Sequence, residues 1–135
     1  MKKNVFLSAA VALGTMLMAT PVFAGNNGWN RDNRGWWFQF SNGSYARSSW
    51  VSVNNSWYFM DASGYMQTGW LNDGSGWYYL DTNNGNMCVG WVNVNGNWYY
   101  LNPANGGRML ANSYTPDGYY VDGNGVYRPG VGTAQ

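Results

Sequence analysis

Nine tryptophans are the residues of this chain best placed to do chemistry, and theirs is the chemistry of ring faces, not of proton transfer. Six of them stand in phase. Trp50, Trp70 and Trp91 are separated by 20 and 21 residues, and so are Trp57, Trp77 and Trp98. Within each pair the spacing is seven. An indole face attracts a cation through the ring quadrupole. It also offers a flat surface to a sugar ring, or packs a small core. Polar catalysis is poorly provided for. Histidine is absent and cysteine occurs once, which excludes a Cys/His zinc site, a Ser-His-Asp triad and a Cys–His dyad. Asp61, Asp81 and Asp122, with Asn102 in the matching place, invite comparison with a glycosidase carboxylate pair. They follow WYFM, WYYL, GYYV and WYYL where a turn begins, however, and Asx residues favour turns. No acidic residue breaks the phase of the repeat, so no catalytic residue, enzyme activity, metal site or cofactor is expected.

Those rings need elements to position them, and composition narrows the choice. A length of 135 residues suits one small domain. Charged residues make up 10% and the net charge is +1, which leaves no electrostatic footprint for nucleic acid or an acidic membrane. The aromatic share of 19% is the opposite of a disordered composition. Residues 1–24 are predicted to be a cleaved secretory signal peptide. Lys2 and Lys3 form a basic start, Val5 to Met18 is apolar, and Val22 and Ala24 fit the positions before cleavage at Gly25. No membrane association is expected after cleavage. The remaining chain, 25–135, keeps five Arg against six Asp and has no lysine, glutamate or histidine. Cys88 sits where Gln67 and Leu110 stand in neighbouring units, and pairing between chains is the disfavoured reading of it. Oligomeric state is not legible.

A repeat of about twenty residues organises the rest. WVSVNNSWYFM, WLNDGSGWYYL and WVNVNGNWYYL share one pattern, with Met66, Met87 and Met109 recurring after each. The predicted units are 28–49, 50–69, 70–90, 91–111 and a tryptophan-free cap at 112–130. Each reads as a β-hairpin, because Asn95-Gly96, Gly74-Ser75 and Asn54-Asn55 supply the turns. A two-residue loop at 95–96 pairs Asn93 with Trp98, Val92 with Tyr99, and Trp91 with Tyr100. Alternation then puts Trp91, Trp98 and Tyr100 on one face and Tyr99 on the other. Lone hairpins are barely stable, so the predicted fold is all-β, a β-solenoid of stacked hairpins with a capped end.

The repeat GWLNDGSGWYYLDTNNGNMCVGW, recurring in phase, resembles the choline-binding, or cell-wall-binding, repeats of Gram-positive surface proteins. The resemblance covers about residues 28 to 127. It implies choline groups of teichoic acids held in aromatic cages between consecutive repeats. Each cage would take two tryptophans from one repeat, a tyrosine from the next, and a methionine nearby. Carried onto this chain, the first cage is Trp50 and Trp57 with Tyr79 and Met66. The second is Trp70 and Trp77 with Tyr100 and Met87. The third is Trp91 and Trp98 with Tyr120 of the cap and Met109. A weaker fourth pairs Trp29 with Trp36 or Trp37, with Phe59 in place of the tyrosine. The implied protein is secreted, non-catalytic and held non-covalently at the cell wall, its partner a choline-substituted teichoic acid or another wall glycan. Two other readings stay open, a saccharide-binding (glucan-like) repeat module and a purely structural surface spacer. Arg31, Arg34 and Arg47 gather in the first unit, where they form a solvated surface or meet a teichoic phosphate.

Overall fold

The structure, a computed structural model, describes residues 28–132. The expected signal peptide at 1–24 lies outside the described residues. Among the described residues eleven short strands and one 3-10 turn carry the regular structure, and the fold is all-β hairpins. Two-residue loops with left-handed backbone build two of the hairpins. Asn54 and Asn55 take φ of 51° and 68°, and Asn95 and Gly96 take 52° and 89°. Such loops match the twist of the flanking strands. They join β3 (Ser49–Val53) to β4 (Ser56–Met60) and β7 (Gly90–Val94) to β8 (Asn97–Asn102). The register is the predicted one, with Trp91 opposite Tyr100, Val92 opposite Tyr99 and Asn93 opposite Trp98. Trp50 likewise stands opposite Phe59 and Ser52 opposite Trp57.

The other two tryptophan hairpins turn more loosely. β1 (Gly28–Arg31) and β2 (Trp36–Gln39) are joined through Asp32 N–H donating to the Gly35 carbonyl at 3.1 Å. β5 (Gly69–Asn72) and β6 (Trp77–Leu80) are joined through Asp73 N–H donating to the Gly76 carbonyl at 3.3 Å. Each hairpin then returns as a short arm. Met60 bridges Met66, and Leu80 bridges Met87. Leu101 of β8 pairs with Met109 of β9 (Arg108–Met109). In the last unit β10 (Ser113–Tyr114) pairs with β11 (Tyr120–Val121), and Val121 bridges Tyr127. The arm is held by one recurring bond: Gln67, Cys88, Leu110 and Arg128 N–H donate to the carbonyls of Phe59, Tyr79, Tyr100 and Tyr120. Cys88 thus shares the backbone role of Gln67 and Leu110. Burial pushes its thiol pKa up, assisted by Asp81, which disfavours the thiolate that oxidation needs.

Two compact units divide the described residues, one of 28–69 and 82–86, the other of 70–81 and 87–132. In the first, Ala46, Val51 and Met60 form the buried cluster, with Trp29, Phe38 and Tyr58 against it. In the second, Leu71, Tyr78, Leu80, Leu101 and Val121 are buried. The strand residue that pairs with each returning arm recurs as an anchor: Met60, Leu80, Leu101 and Val121 are all 0% exposed. Turn carboxylates behave as their place in the repeat predicts. Asp61 accepts from Ser63 and Tyr65 N–H, and Asp122 from Asn124 and Val126 N–H. Asn102 caps the 3-10 turn Pro103–Asn105 through Ala104 N–H.

Candidate functional site

Three open aromatic clefts recur along the hairpins. Alternation places the two tryptophans of a hairpin on one face, and their rings meet edge to face. Trp29 and Trp36 stand 6.3 Å apart at 89°, and Trp70 and Trp77 stand 6.3 Å apart at 84°. The third wall comes from the back face of the following hairpin. Tyr58 lies 4.8 Å from Trp29, and Tyr99 lies 4.8 Å from Trp70. Met66 and Asn84 complete the first cleft, about 330 Å³ in volume. Met109, Gly123 and Asn124 complete the second, about 370 Å³. A third cleft of about 410 Å³ is lined by Trp91, Trp98, Tyr119 and Tyr127, with Tyr119 6.2 Å and Tyr127 5.9 Å from Trp91.

The expected partners are grouped differently. Tyr100, expected with Trp70 and Trp77, stands 5.2 Å from Trp91 of its own hairpin. Tyr79, expected with Trp50 and Trp57, stands 4.9 Å from its own Trp70. Phe59, expected with Trp29, stands 5.4 Å from its own Trp50. Tyr120 pairs with Tyr114 at 5.2 Å, and Tyr119 takes the place expected for it. The cause is strand alternation. A residue opposite the first tryptophan shares that tryptophan's face, so only its neighbour one position earlier can reach back to the preceding hairpin. Met66 and Met109 are displaced by one unit for a related reason, since their arms return against the hairpin before their own. Met66 therefore lies with Trp29 and Trp36, and Met109 with Trp70 and Trp77. A Cβ at Gly125, whose φ is 82°, would stand 2.5 Å from the Met109 sulfur, so that glycine makes room for the methionine. Met87 lies in the same way against Gly107. Trp37 turns to the opposite side of its hairpin, 5.8 Å from Tyr45. Trp50 is buried and Trp57 half-buried.

Exposure separates the two tryptophans of a cleft. Trp36, Trp77 and Trp98 are 42%, 45% and 46% exposed. A ring placed only for packing would be covered, and here an indole is left open at the same place in three hairpins. The clefts differ in their electrostatics. Arg31 holds its guanidinium 5.5 Å from the Trp36 ring, so the first cleft already carries a cation. In the third, Asp117 accepts from the Trp91 indole N–H at 3.2 Å and from the Thr115 hydroxyl at 2.6 Å. Asp117 thereby orients Trp91, a role hidden in the sequence because D-G reads as a turn. Among the described residues no group of His, Cys, Asp and Glu could hold a metal ion, and no helix is long and apolar enough to cross a membrane.

Hydrogen bonds lower three carboxylate pKa values. The Thr115 hydroxyl, then the Trp91 indole, hold Asp117 below the ordinary carboxylate value. The Val126 N–H, and more weakly Arg128, do so for Asp122, and the Tyr65 hydroxyl does so for Asp32. A folded pKa below the unfolded one gives stability that is present above the unfolded value of about 3.9 and lost as pH falls through the folded value. With no histidine in the chain, thermal midpoints should stay level from about pH 5 to 8 and fall below about pH 4. Melting followed by tryptophan fluorescence from acid to neutral pH checks this. A transition centred near pH 6–7 would contradict it.

Known proteins share this arrangement. Models of the choline-binding repeat match residues 46–90 and 90–127. Choline binding protein F from Streptococcus pneumoniae, solved in the presence of a peptidoglycan analogue, is 39% identical over 76% of this chain, with a TM-score of 0.69. CbpJ from Streptococcus pneumoniae TIGR4 is 41% identical over 76%, also with a TM-score of 0.69. The modular Cpl-1 endolysin complexed with a peptidoglycan analogue is 29% identical over 81%, with a TM-score of 0.56. The match spans 33%, 34% and 40% of those three chains. A search of curated protein sequences returns no match. In-phase tryptophan pairs, hairpins of the predicted register and both repeat matches agree, and the chain belongs to the choline-binding repeat family.

Proposed function

We propose that this protein is a secreted, non-catalytic module that attaches to the cell wall by holding choline groups of teichoic acids in its aromatic clefts. The observation that carries the reading is the half-exposed second tryptophan, Trp36, Trp77 and Trp98, each facing a partner tryptophan and a tyrosine from the following hairpin. A quaternary ammonium has no N–H to leave unsatisfied, so it moves from water onto ring faces at little cost. Each ring contributes about 0.5–2 kcal/mol, and three give on the order of 2–5 kcal/mol, or roughly millimolar affinity. Several such sites facing one polymer gain ~10²–10⁴-fold in avidity. The reading carries with it the stacked β-solenoid of five units within 25–135 and export directed by residues 1–24.

Choline titration followed by tryptophan fluorescence tests it directly, because the ligand would sit on the rings that report. Half-saturation is expected at roughly millimolar choline, and free choline at that concentration should elute the protein from a choline-bearing matrix. Retention indifferent to free choline would overturn the proposal.

A further inference from the structure

The first hairpin departs from the repeat at its best-buried position. Met60, Leu80, Leu101 and Val121 anchor the other four units at 0% exposure. Gln39 stands in that place in β2, opposite Gly28 and bridging Tyr45, and is 7% exposed. Its amide N–H₂ donates to the Gly43 carbonyl at 3.0 Å. Its Oε1 is buried and has no partner among the described residues. A buried acceptor left unmade costs more than an aliphatic side chain of similar size would. Gln39 also lines a cleft of about 190 Å³, walled by Trp37, Tyr45 and Tyr65.

This cleft has the wrong chemistry for choline. Trp37 and Tyr45 stand where Tyr58 and Met66 stand in the first tryptophan cleft, but its tryptophan pair has no counterpart here; Asp32 and Tyr65 line the cleft instead. The Asp32 carboxylate already accepts from the Tyr65 hydroxyl at 2.7 Å and from the N–H groups of Arg34 and Gly35. The Arg34 guanidinium lies 4.4 Å from the Tyr65 ring, and that of Arg47 lies 5.8 Å from the Tyr45 ring. An esterified choline has no hydrogen to give Gln39. A pyranose sugar answers each feature: its hydroxyls donate to Oε1, its C–H face packs on the rings, and one ring suits a cleft this small.

We propose that the first hairpin carries a saccharide subsite, in which Gln39 Oε1 accepts a hydroxyl from one pyranose unit and Trp37 and Tyr45 pack its ring. It goes beyond the choline reading, using none of the residues assigned to the three tryptophan clefts. Titration of N-acetylglucosamine and of glucose into the full chain, held in about 50 mM choline, tests it by NMR; that concentration lies well above the millimolar range expected for the clefts. The Gln39 side-chain amide and the Trp37 indole N–H should shift with at least one sugar, undiminished by choline. Gln39→Leu, which restores the residue type of Leu80 and Leu101, should weaken sugar binding about tenfold or more with choline half-saturation unchanged. Tyr45→Met, copying Met66, should weaken sugar binding in the same way. The proposal is overturned if neither sugar moves those signals, if Gln39→Leu binds sugar as well as the parent, or if sugar binding disappears once choline is present. Choline half-saturation, read in the same samples, reports on the tryptophan clefts independently.

Discussion

Tyr99→Ala should weaken choline binding at the Trp70–Trp77 cleft by about five- to thirtyfold, the equivalent of one aromatic wall at about 1–2 kcal/mol. Tyr100→Ala should leave that cleft nearly unchanged. The contrast follows from the face each ring occupies. Tyr99 reaches back to within 4.8 Å of Trp70, whereas Tyr100 stands beside Trp91 of its own hairpin at 5.2 Å. Both rings are half-buried, so each truncation costs some packing, and the comparison between two adjacent tyrosines cancels much of that shared cost. Choline titrations of the two variants, with Trp70 and Trp77 resolved by their indole N–H signals, give the answer. Equal losses for both, or a larger loss for Tyr100→Ala, would assign the wall to the wrong tyrosine.

The largest effect on stability belongs to Leu101→Ala. Leu101 is 0% exposed and is paired on both sides, with Gly90 in β7 and Met109 in β9. Removing a fully buried leucine side chain costs about 2–5 kcal/mol, through lost transfer energy and the cavity left behind. Domains of this size have only about 5–15 kcal/mol of stability in total. A fall in melting temperature of at least ~10 °C is therefore expected, read by far-UV circular dichroism or tryptophan fluorescence. A change below ~0.5 kcal/mol in chemical denaturation would show that the anchor position is not where the unit is held together. Gln39→Leu, at the equivalent position of the first unit, should raise the melting temperature, because it replaces a buried acceptor that has no partner among the described residues with an aliphatic side chain.

Particular residues mark how far the sequence could be read. Asn95-Gly96 announces a two-residue loop, and the loop sets the register, which puts Trp91, Trp98 and Tyr100 on one face. Asp61 and Asp122 were readable as turn residues because their side chains bond backbone within four positions. Asp117 was harder. Its bond to Trp91 spans 26 residues, and nothing local distinguishes it from an ordinary turn aspartate. Gln39 was harder still. Only the structure aligns it with Met60, Leu80, Leu101 and Val121, since the first unit lacks the spacing that makes the others easy to superpose.

Local sequence dictates the hairpins, their register and the pairing of tryptophans on one face, because each of these depends on contacts within about ten residues. Tertiary structure alone decided which ring meets Trp70. Tyr99 and Tyr100 are adjacent and equally aromatic, and alternation sends them to opposite faces. Which of those faces turns toward the preceding hairpin is settled by how hairpins stack, a contact about thirty residues long that no local preference encodes. Met66 and Met109 follow the same rule, for their arms pack against the unit before their own and carry each side chain into a neighbour's cleft.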